Sequence, residues 1–148
     1  MATFTQLYYH IVFSSKNRTN VFVANKRPEL YAYMGGIIKN KKSTPHVING
    51  VENHIHILTN IHPRIALSDF VKDIKIASSL WIRENNMFPQ FDGWQDGYGA
   101  FTLSDQEKAD VSGYIINQEE HHRKRTFREE LIDLLRKAGI SFDEKYLL

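Results

Sequence analysis

The chain has 148 residues, enough to bury the core of one domain. Its 42% hydrophobic and 24% charged residues are ordinary globular usage, and the absence of cysteine excludes disulfides and thiolate metal sites. A net charge of only +2 excludes a global basic field, so any nucleic-acid contact must rest on local patches.

Phe4 to Phe13, rich in Tyr, Phe, Ile and Val, reads as a strand, followed by a polar, basic loop over 14–20. A helix is predicted from about Lys26 to Lys41, with Pro28 in its first turn and Leu30, Tyr31, Met34, Ile37 and Ile38 as its apolar stripe. Pro45 to Val51 is a second strand, and a turn at Glu52-Asn53 leads into a third that ends near Ile61-His62-Pro63. A helix with Ser68 as its N-cap carries Leu67, Phe70, Val71, Ile74, Ala77 and Trp81 at helical spacing and stops at Asn85-Asn86. Phe91 to Leu103 reads as an aromatic, glycine-rich strand with a bend or bulge. Ser104-x-x-Glu107 is a capping box opening a helix to about His122, and Thr126-x-x-Glu129 opens another that Gly139 terminates. The order β-α-β-β-α-β predicts an α+β, ferredoxin-like (split βαβ) antiparallel sheet with helices on one face, plus two C-terminal helices, as a single domain over 1–148. With no charged-then-apolar leader and no apolar run of membrane length, the expected setting is the cytoplasm, without a membrane partner.

Two features carry chemistry. In Asn53-His54-Ile55-His56-Ile57-Leu58 the period of a strand puts both histidines on one face and Ile55, Ile57 and Ile61 on the other. Two imidazoles side by side are half of a metal site, although alone the pair reads at least as readily as two surface histidines. Later, Tyr114 and Gln118 stand four apart on one helix and so share a face, with His121 and His122 a turn further on. Tyr114 is a candidate nucleophile and Gln118 a neutral ligand through its carbonyl oxygen; core packing for Tyr114 and a solvated Gln118 are the plain alternative. His10, His46 and His62 read as structural.

His54-x-His56 followed by Tyr114-x-x-x-Gln118, together with Gly97-Tyr98-Gly99-Ala100-Phe101 and the run from Gln118 to Phe127, resembles the HUH one-tyrosine transposases of the insertion-sequence 200/605 type. The likeness spans nearly the whole chain. It implies a transposase that cleaves and rejoins single-stranded DNA, with His54, His56 and Gln118 binding a divalent ion, Mg²⁺ or Mn²⁺, and Tyr114 forming a 5′-phosphotyrosine. Hairpin-forming element ends as the DNA partner, a homodimer and no nucleotide cofactor are also implied. Asn53 departs from the acid often found before the first histidine.

Lys75, by likeness, and the junction residues Arg123, Lys124, Arg125 and Arg128 are the DNA-binding candidates, against the simpler reading of solvated charge. Gly113, before the tyrosine, reads as room for close approach at the site or as tight helix packing. The alternatives are a non-catalytic single-stranded nucleic-acid-binding protein on the same fold, or a metal-dependent phosphoesterase using activated water.

Overall fold

The computed structural model describes residues 2–147. Six elements follow in the expected order: β1 (Tyr8–Ser14), α1 (Arg27–Asn40), β2 (Pro45–Gly50), β3 (His54–Asn60), α2 (Leu67–Glu84) and β4 (Gly99–Leu103). The sheet runs β2-β3-β1-β4 with every neighbouring pair antiparallel, the ferredoxin-like arrangement. Strand alternation divides it into two faces. Ile11, Phe13, Ile55 and Ile57 turn toward α1 and α2, where Leu30, Met34, Ile38, Phe70, Val71 and Ile74 close the main core. Val12 and Leu58 turn the other way, under the C-terminal helices α3 (Lys108–Ile116), α4 (Gln118–His122) and α5 (Phe127–Lys137). No helix among the described residues is long and apolar enough to cross a membrane.

Several local expectations change. The first strand begins at Tyr8, because its partners end there: Tyr8 pairs with Asn60 of β3 and Leu103 of β4, which leaves Phe4 92% exposed. Only Gly99–Leu103 of the fourth predicted strand is regular. Residues 91–98 form a loop with one bridge, Trp94 to Ser15, and positive φ at Gly93 (108°) and Gly97 (89°) that side-chain-bearing residues rarely adopt. Ser68 does not cap α2; it lies within the first turn, Ala66 occupies the cap without a side-chain hydrogen bond, and Asp69 supplies the charge that suits a helix start.

The helix expected over 104–122 is broken at Asn117 (φ −92°, ψ 25°) into α3 and α4, after a short 3₁₀ turn at Asp105–Glu107. A break orphans carbonyls. Asn49 of β2 meets two of them, its Nδ2 donating to Ile115 O at 2.9 Å and Ile116 O at 3.1 Å. Both capping boxes form, Ser104 with Glu107 and Thr126 with Glu129. At Gly113 an added Cβ would meet nothing within 4 Å, so neither close approach nor tight packing accounts for this glycine.

Candidate active site

The face of the sheet turned to the C-terminal helices carries the polar residues. His54 and His56 project together from β3, as the strand period requires, and the helices above leave both fully buried. Gln118 is the first residue of α4 and is equally buried. Its Oε1 lies 3.2 Å from His54 Nε2 and 3.1 Å from His122 Nε2, while its Nε2 donates to Glu130 Oε2 at 3.1 Å.

Glu130, from α5, is the centre of the cluster. Its Oε1 stands 3.1 Å from His54 Nε2, 3.0 Å from His56 Nε2 and 3.1 Å from His122 Nε2. The hydroxyl of Tyr114 donates to the other oxygen, Oε2. Burial alone would raise the Glu130 carboxyl, but the imidazoles of His122, His54 and His56 hold it far below the usual range, so it is ionised. Burial lowers His54 to about 4 despite Glu130 beside it, so that imidazole is neutral and does not balance the carboxylate.

Each imidazole is held from behind. His54 Nδ1 is bonded to Asn53 Oδ1 (2.7 Å), His56 Nδ1 to His10 Nε2 (2.7 Å) and His122 Nδ1 to Arg125 O (3.0 Å). Every Nε2 is thereby turned to the same point, as outer partners do for metal-ligating histidines. His54, His122 and Glu130 offer ligand atoms all within 4.8 Å of one another. Imidazole nitrogens, an amide oxygen and an ionised carboxylate in a buried pocket suit a divalent ion.

Tyr114 stacks on His121 with ring centroids 4.7 Å apart and lies 6.0 Å from the His56 ring. Burial and then the Glu130 carboxylate push its hydroxyl above its ordinary value of 10; Arg125, whose Nη2 donates to it at 3.2 Å, pulls the other way. The phenol is therefore protonated in this arrangement, with an acceptor and a cation both in contact with its oxygen.

The remaining predicted residues are spread more widely. Arg125 also bonds Asp133 at 3.4 Å. Arg123 and Lys124 are exposed and lie 3.2 and 4.0 Å from Glu120, and Arg128 is 3.4 Å from Glu144. A cleft of about 410 Å³ beside the histidines is lined by Asn20, Asn53, His122, Arg123, Lys124 and Arg125, among others. Lys75 sits on α2, on the opposite face, where its Nζ donates to the carbonyls of Gln95 (2.8 Å) and Gly97 (2.6 Å) and pins the 91–98 loop.

Sequence reasoning passed over Glu130, His122 and His10 as members of this cluster. Glu130 did leave a signal: it shares the buried face of α5 with Phe127 and Leu131, a carboxylate in an apolar stripe. His10 has the strand parity of Val12, whose partner in register is His56.

Residues 3–118 match the family described as "Transposase IS200 like". The chain is similar to the ISDra2 transposase TnpA of Deinococcus radiodurans, 26% identical over 118 residues that make up 76% of this chain and 84% of the relative. It is also similar to the transposase of insertion sequence element IS200 from Salmonella typhimurium, 28% identical over 120 residues, 78% of each chain. In three dimensions it resembles a REP-associated tyrosine transposase solved bound to a REP hairpin, with a TM-score of 0.61 over 82% of this chain and 74% of the other, at 11% identity, a likeness of fold alone.

Proposed function

Because the chain belongs to the family of IS200-like transposases, we propose that it cleaves and rejoins single-stranded DNA through Tyr114, in a site where His54, His56 and Gln118 hold a divalent ion, Mg²⁺ or Mn²⁺. The observation that carries this reading is that the Tyr114 hydroxyl and the His54, His56 and Gln118 side chains converge on the one buried carboxylate of Glu130, within a single chain.

When bound, the ion would polarise the non-bridging oxygens of the scissile phosphate. The phenolic oxygen of Tyr114 attacks phosphorus and the bond to the 3′ oxygen breaks. The products are a 5′-phosphotyrosine and a free 3′-hydroxyl; the proton that the phenol gives up is balanced by the one the 3′ oxygen takes up. Rejoining reverses the step, with a 3′-hydroxyl attacking the phosphotyrosine, so the bond energy is retained and no nucleotide cofactor is needed. Arg125 steadies negative charge on the tyrosine oxygen. The cleft beside His122 falls within the roughly 300–1,000 Å³ range of small-molecule sites, and Arg123, Lys124 and Arg125 on its wall give it the charge to receive a DNA backbone.

Hairpin-forming element ends are the expected substrate, as the resemblance to the family implies. Paired cleavages by one tyrosine per chain favour a homodimer, acting in the cytoplasm. The test is incubation with labelled single-stranded DNA carrying the flanking element's end, plus Mn²⁺, read on a denaturing protein gel. An adduct that disappears in Tyr114→Phe supports the reading. Binding of cognate DNA without an adduct overturns it in favour of a non-catalytic binding protein.

A further inference from the structure

Hydrogen-bond accounting at the histidines leaves a deficit. The Nδ1 of His122 faces a backbone carbonyl and that of His54 faces the amide oxygen of Asn53. Both partners only accept, so both Nδ1 atoms carry the proton, which leaves Nε2 as the nitrogen whose lone pair can bind an ion. Those lone pairs point at Gln118 Oε1, at 3.2 Å from His54 and 3.1 Å from His122. They also point at Glu130 Oε1, at 3.1 Å from each. The amide orientations are fixed independently: Gln118 Nε2 is committed to Glu130 Oε2, and Asn53 Nδ2 faces Arg18 O. His56 alone has a free choice, because His10 behind it can donate or accept. Two imidazole lone pairs therefore confront two acceptor oxygens where His54, Gln118 and Glu130 are fully buried. Something positive belongs between them.

We propose that His122 and Glu130 are ligands of the same divalent ion as His54, His56 and Gln118, so that α5 is bound to the site through the ion. The inference rests on the ion site of the proposed function and enlarges it with two residues that lie beyond the 3–118 family match. An ion with ligands about 2.1 Å away in octahedral geometry sets adjacent ligand atoms about 3 Å apart. The separations of Glu130 Oε1 from His54, His56 and His122, and of Gln118 Oε1 from His54 and His122, run from 3.0 to 3.2 Å. Glu130 is the one carboxylate among these ligand groups. Its second oxygen, which is bonded to Tyr114 and to Gln118 Nε2, stays on the far side of the carboxylate, so one side chain spans ion and nucleophile.

The opposing possibility has the opposite sign. If Glu130 merely fills the space an ion would take, removing its charge opens the site and tightens ion binding. If it is a ligand, removal weakens binding. Calorimetric titration of the metal-free full chain with MnCl₂ separates the two. Wild type binds and His56→Ala loses binding if the underlying ion site is right. Glu130→Gln and His122→Gln, checked for native circular dichroism, are then expected to weaken Mn²⁺ by at least about tenfold, since even outer partners of ligands are worth about 10–100-fold. Unchanged or tighter binding in Glu130→Gln overturns the proposal and leaves the ion site of the proposed function standing. No binding by wild type overturns both. A second measurement avoids any folding defect. In wild type, Mn²⁺ is expected to slow amide exchange in peptides covering 127–137 as well as in β3; protection confined to β3 and α4 overturns the proposal.

Discussion

The Nε2 of His10 and the Nδ1 of His56 lie 2.7 Å apart, with their rings stacked at 5.0 Å. One buried imidazole thus orients another from the strand next door, and only the second reaches the Glu130 carboxylate. His10→Ala is expected to weaken Mn²⁺ binding and slow cleavage by about 10–100-fold. His10→Gln, which keeps a hydrogen-bonding group at that position, is expected to recover much of the loss. Equal affinities in all three proteins, by titration, would sink this assignment.

The same burial makes stability depend on pH. Burial, then the neighbouring His56, lowers His10 from 6.5 to about 3, and burial lowers His54 from 6.5 to about 4. Between those values and 6.5 the unfolded chain binds more protons than the folded one, so stability falls as pH falls. Each histidine contributes up to about 1.4 kcal/mol per pH unit across that window. Glu130, held below its ordinary 4.5, adds a loss in the same direction in more acid solution. Thermal unfolding in chelator-treated buffer should show a midpoint dropping steadily from pH 7 to pH 5. A flat midpoint over that range contradicts the neutral, buried histidines.

Arg125 touches the nucleophile rather than only lining the cleft. Arg125→Ala is expected to reduce the rate of adduct formation by on the order of 10², with a much smaller loss of DNA affinity. Arg125→Lys should restore only part of it, because one guanidinium serves Tyr114 and Asp133 together. Parallel losses of rate and affinity would instead make Arg125 a simple backbone contact.

Two glycines should respond in opposite ways. Gly113 lies inside α3 with nothing within 4 Å of an added Cβ, so Gly113→Ala is expected to stabilise by up to about 1 kcal/mol. At Gly50 an added Cβ would stand 2.2 Å from the His54 carbonyl oxygen and 3.1 Å from Ile55 Cα, both rigid backbone. Gly50→Ala must therefore displace the start of β3, and with it His54. Denaturant midpoints should rise for the first variant and fall steeply for the second.

What could be read from the chain followed the local rules. The period of two in 53–58 fixes the shared face of His54 and His56, whereas Tyr114 and Gln118, expected on one helix face, lie on separate helices and meet through Glu130 Oε2. Both capping boxes marked where helical structure starts. What stayed hidden depends on pairing across distance. The register that brings His10 beside His56 joins residues 46 apart, and Glu130 reaches His56 across 74. The break at Asn117 was equally invisible, since its freed carbonyls are met by Asn49, a residue of another strand.

The docking of α5 bears on where this protein can be cut. The matched segment ends at Gln118, but the chemistry does not: Phe127 lies flat on His54 with centroids 4.1 Å apart, and with Leu131 it covers Val12. A fragment trimmed to the matched segment would open the histidine pocket to bulk water and leave an apolar strip of sheet uncovered. Such a fragment should be sticky and poorly soluble, a surface looking for the wall it has lost.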